Sequence, residues 1–77
     1  MSIESRLRET YGSRVAPSTL NQLTGIISLI RRTRGITVED IACETGLGYS
    51  KASALTAMLE VDGFIQIDLL QRCVITR

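Results

Sequence analysis

The chain has 77 residues, 44% of them hydrophobic and 22% charged, and a formal net charge of +1. That length supports one small core, so a single domain over residues 1–77 is expected, and the composition is that of a globular chain. No apolar run approaches the roughly 18 residues of a membrane span. The opening Met1-Ser2-Ile3-Glu4-Ser5-Arg6 lacks an apolar signal core, so cytoplasm is the expected compartment.

The even charge balance hides a split. Residues 1–35 carry six arginines against Glu4 and Glu9, a balance of +4. Residues 36–77 carry Lys51, Arg72 and Arg77 against six acids, a balance of −3. There is no histidine, and Cys43 and Cys73 do not form a C-x-x-C pair. A metal site is therefore not expected, and the two cysteines read as small apolar residues in a reducing compartment. No glycine-rich phosphate loop and no nucleophile with a neighbouring base is present, so neither an enzyme nor a cofactor is expected.

In chain order, residues 1–16 read as a frayed or short helical lead-in broken at Gly12. Pro17 or Ser18 opens the first full helix, because proline fits a first turn and serine caps one. Leu20, Leu23, Ile27 and Ile30 recur at helical spacing and predict one buried stripe, widened by Ile26 and Leu29. Arg31, Arg32 and Arg34 before Gly35 suit the negative end of that helix. Ile36 is placed to supply a one- or two-residue strand. Thr37, with Asp40 three residues on, opens a second helix in a capping-box pattern. Val38, Ile41 and Ala42 face its core, and Gly46 stops it. Leu47 plugs the turn. Gly48 or Ser50 caps a third helix running to about Asp62, with Ala52, Leu55 and Leu59 inward and Thr56 at the edge. After Gly63 the period becomes alternating, and Phe64–Ile67 and Cys73–Thr76 read as two strands joined through residues 68–72. The buried set predicted from these stripes is Leu23, Ile27, Ile30, Ile41, Leu47, Leu55, Leu59 and Ile65.

The stretch from Thr37 to Ile65 resembles the winged helix-turn-helix. The matching residues are Thr37, Asp40, Ile41, Ala42, Thr45, Gly46, Leu47, Ser50, Ala52, Leu55, Leu59, Glu60, Gly63, Phe64 and Ile65. The chain looks similar to MarR-like small regulators. Its Leu59-Glu60-Val61-Asp62-Gly63 ending also resembles the C-terminal winged helix of DNA-processing protein A. That family's wing carries a Pro-Gly-Gly turn and a tyrosine, where this chain has Leu69, Leu70, Gln71 and Cys73. The resemblance implies a mainly α fold with a small β-hairpin: three helices, the helix-turn-helix at 37–63 and the wing at 64–77.

It also implies double-stranded DNA as partner, with the third helix in the major groove. Tyr49, Ser50, Lys51 and Ser53 are then the candidate contacts from that helix, and Arg72 the candidate from the wing. A dimer is expected, because one module supplies few phosphate contacts. The residues themselves leave an alternative open. On the outer face of the third helix, Ser50 is followed by Ala54, Ala57 and Val61, none of them able to read a base edge through paired hydrogen bonds. With Leu69 and Leu70 at the wing tip they would form an apolar patch for a protein partner or a second copy.

Overall fold

The computed structural model describes residues 2–76. Among them there are four helices, α1 (Ile3–Tyr11), α2 (Pro17–Arg32), α3 (Val38–Thr45) and α4 (Tyr49–Val61), and a sheet of three short strands, β1 (Ile36–Thr37), β2 (Ile65–Ile67) and β3 (Arg72–Ile75). The fold is mainly helical with a small antiparallel sheet, as the sequence pattern implies, but with four helices instead of three.

The added helix is the stretch expected to be a lead-in. Locally it has a good start: Ser2 accepts from the Ser5 N–H at 3.2 Å, and Glu4 lies in the first turn. A nine-residue helix is still marginal on its own, so tertiary contacts must hold it. Leu7 and Tyr11, four residues apart on one face, are both wholly buried. The Tyr11 hydroxyl donates to the Asp62 carboxylate and, at 3.3 Å, to the Met58 carbonyl, while its ring lies 5.8 Å from that of Phe64. Burial, and then the Asp62 carboxylate, hold the Tyr11 phenol above its ordinary pKa. Arg31 pairs with Glu4 at 3.1 Å across the α1–α2 seam.

α2 opens at Pro17, whose missing N–H costs nothing in a first turn. Its stripe of Leu23, Ile26, Ile27, Leu29 and Ile30 is buried as the spacing predicts. One core cluster joins this stripe to Leu7 and Tyr11, to Val38, Ile41 and Ala42 of α3, and to Ala52, Leu55 and Leu59 of α4. Of the eight residues expected inside, seven are buried and Leu47 is only half-buried. Leu47 borders a hollow beside Gly25 of α2, and nothing lies within 4 Å of where a Gly25 side chain would begin, so no neighbour closes over the leucine.

The strand order is β1-β3-β2, antiparallel throughout. Cys73 pairs with both Ile36 and Ile67, so the three inward side chains of this row sit together in the central register. Burial pushes the Cys73 thiol up to about 11, with Glu60 and Asp68 adding to the shift. The strand bounds move slightly from the sequence pattern. Phe64 is taken into the helix stop, its N–H donating to the Leu59 carbonyl at 2.9 Å, so β2 begins one residue later.

Candidate nucleic-acid interface

Two helix starts and one strand turn lie along one side of the molecule. α3 begins at Thr37, whose hydroxyl accepts from the Asp40 N–H at 3.1 Å, with Glu39 and Asp40 in the first turn. This start is capped and electrostatically satisfied. Gly46 ends α3 in the left-handed region (φ 71°), and Gly48 holds φ 74° before α4, which is how a three-residue link turns the chain so sharply.

α4 begins differently. Gly48 has no side chain to cap it, and the first turn carries no acid. The first bond back into the helix runs from the Ala52 N–H to the Gly48 carbonyl at 3.1 Å. The N–H groups of Tyr49, Ser50 and Lys51 therefore precede the ladder and point out at the positive end of the helix dipole. Tyr49, Ser50 and Lys51 are exposed and Ser53 is half-buried. Lys51 has no ion-pair partner among the described residues. The Tyr49 hydroxyl donates to Gln71 Oε1 at 3.1 Å, which ties the start of α4 to the turn between β2 and β3.

That turn is organised by Asp68. Its carboxylate accepts from the Leu70 N–H at 2.9 Å, the Arg72 N–H at 3.0 Å and Arg72 Nε at 2.8 Å. These donors, the Arg72 backbone N–H first, hold the Asp68 carboxyl below its usual pKa. Gln71 takes φ 64°, the one non-glycine residue at positive φ among those described, and its carbonyl accepts from Val38 N–H at 3.1 Å. Arg72, expected as the wing's phosphate contact, is paired with Asp68 and stays exposed. Asp68, accepting from the N–H of Leu70 two residues on, makes this an Asx-type turn, a signal present in the sequence at Asp68 and missed there.

The outer face of α4 is as expected in position. Ser50, Ala54, Ala57 and Val61 are exposed, Val61 by 84%. Leu69 is fully exposed and Leu70 is 67% exposed, so neither folds back onto the core. Leu70 borders a shallow hollow of about 300 Å³ with Thr37, Glu39, Tyr49 and Gln71, next to the start of α4. The two expected sets therefore divide along the helix: polar contacts at its first turn, Ala57 and Val61 toward its end. Glu60 is exposed, and one of its carboxylate oxygens accepts from the Ile67 N–H at 3.2 Å.

Half of the remaining described arginines, Arg6, Arg14 and Arg31, serve within the fold. Arg6 stacks over Phe64 and Arg14 over Tyr11, each at 5.2 Å, and Arg14 also lies 3.9 Å from Asp62. Arg8, Arg32 and Arg34 have no acidic partner among the described residues. No group of three or more potential metal ligands and no helix long and apolar enough to cross a membrane is found among the described residues. Comparison with protein-family models, with curated proteins and with solved structures finds no match to this chain.

Proposed function

We propose that this chain is a small duplex-DNA-binding module of the winged helix-turn-helix kind, used in transcription regulation or as an accessory DNA-binding domain, which grips phosphate with the open first turn of α4. The observation that carries the reading is the contrast at the helix starts. The N–H groups of Tyr49, Ser50 and Lys51 lack a side-chain cap, and the neighbouring cation and hydroxyls are exposed. An uncapped helix start with a lysine and a serine suits a phosphate oxygen. The small side chains of Ala54 and Ala57 let the helix approach a groove closely, where alanine meets a thymine methyl.

With Arg72 held by Asp68, one copy makes few phosphate contacts. Binding is accordingly weak, only mildly selective and salt-sensitive. Titration of a mixed-sequence duplex should show affinity falling about tenfold between 50 and 200 mM salt, as about two phosphate contacts require. Lys51→Ala should remove about one unit of the salt slope across all sequences. No duplex binding at low salt would overturn the proposal.

A second reading, a protein-docking or homodimerising module, is favoured by the full exposure of Leu69 and by Val61. Ala57→Arg separates the two. It strengthens duplex binding where α4 enters a groove and breaks the contact where α4 packs on protein, because the charge must then be desolvated.

A further inference from the structure

The wing-tip leucines have a counterpart elsewhere on the same chain. Arg31, Arg34, Val74 and Ile75 line a shallow hollow of about 280 Å³ where the end of α2 meets the end of β3. Its floor is two half-buried aliphatic side chains, and its rim is two arginines, of which Arg34 has no acidic partner among the described residues. The wing tip is the inverse of this hollow: two protruding leucines, Leu69 and Leu70, with the exposed Glu39 carboxylate bordering the same recess as Leu70. Tip and hollow lie toward opposite ends of β3, the turn entering it at Arg72 and the hollow formed at Val74 and Ile75.

We propose that the tip of one copy seats in the arginine-rimmed hollow of the next, with Leu70 on Val74 and Ile75 and Glu39 facing Arg34, so that the protein associates head to tail. The exposed Glu39 beside the tip and Arg34 on the rim of the hollow, which has no acidic partner among the described residues, favour a second copy as the occupant, since each surface carries the charge the other lacks. The two surfaces differ, so the contact is heterologous. Every added copy leaves one tip and one hollow free, and assembly continues into chains or closes into a ring. The patch is small, and the pairwise contact belongs to the weak, transient class. Its exposed rim pairs make it weaken as salt rises. The proposal does not rest on the DNA reading, although Tyr49 of the first turn of α4 lines the same recess as Leu70 and Glu39.

Sedimentation of the DNA-free protein over a wide concentration range tests it, with folding of each variant checked by circular dichroism. Wild-type mass should climb past twice the 8.5 kDa of one chain as concentration rises. Leu70→Asp destroys the tip and leaves the hollow; Arg34→Glu spoils the hollow and leaves the tip. Each alone should remain monomeric, while an equimolar mixture should form a dimer and nothing larger, having one intact contact. Val74→Asp serves as a second hollow variant with the same expected pairing. A wild-type chain monomeric throughout would overturn the proposal. So would a dimer that either variant abolishes and the mixture fails to restore, which is the behaviour of a symmetric interface.

Discussion

The starts of α3 and α4, at Val38 and Tyr49, are chemically opposite. α3 has a threonine cap and two acids in its first turn; α4 has a glycine, no acid and an exposed lysine. The first arrangement contributes stability to the fold, since cap and carboxylates satisfy the N–H groups and the dipole internally. The second leaves the same groups unsatisfied by protein. A helix start left open in a chain that caps α1 with Ser2 and α3 with Thr37 is the place where an outside anion gains most. Only α2 also lacks a side-chain cap, and there Pro17 has already removed one N–H.

The contrast can be broken outright by loosening what holds both helices. Leu55 is buried beneath α4, and Leu55→Ala should cost on the order of 2–5 kcal/mol, a large share of a small domain's stability. Thermal or urea unfolding reads this directly, and an unchanged midpoint would mean that the α4 stripe carries little. Removing the cap of α3 makes it resemble α4: Thr37→Ala should cost about 1 kcal/mol in the same assay. The reverse change gives α4 the acid that α3 has. Ser50→Glu should stabilise the fold by about 0.3–1 kcal/mol through the dipole, a gain that a helix start already satisfied would not show.

The smallest expected effect is confined to the turn. The Asp68 carboxyl titrates lower in the fold than in the unfolded chain, so its contribution is complete above the usual carboxylate range. It is lost as pH falls through the depressed folded value. The amide resonances of Leu70 and Arg72 should therefore move only at a pH below the usual carboxylate range, with the helices unaffected.

Much of this architecture is legible in the chain because its causes are local. The α2 stripe, the Thr37 cap and the glycine stop at Gly46 are set by neighbours three or four residues away. α1 is not legible in this way. Its apolar face is short, Ile3, Leu7 and Tyr11, and the groups that complete it, Met58, Asp62 and Phe64, lie about fifty residues later. Site residues divide on the same ground. That Ala54, Ala57 and Val61 face outward follows from helical period, whereas the capture of Arg72 by Asp68 depends on how residues 68–72 fold back on themselves. The hollow formed by Arg31, Arg34, Val74 and Ile75 needs two elements about forty residues apart, and no pattern along the chain announces it.

Duplex titration across a salt series with wild type, Lys51→Ala and Ser50→Glu tests the central claim most directly. An open start of α4 that serves phosphate predicts that Lys51→Ala flattens the salt slope by about one unit. It also predicts that Ser50→Glu, although folded and more stable, loses duplex binding because a fixed carboxylate then occupies the positive end of the helix. Wild-type binding that both variants retain unchanged would contradict the claim.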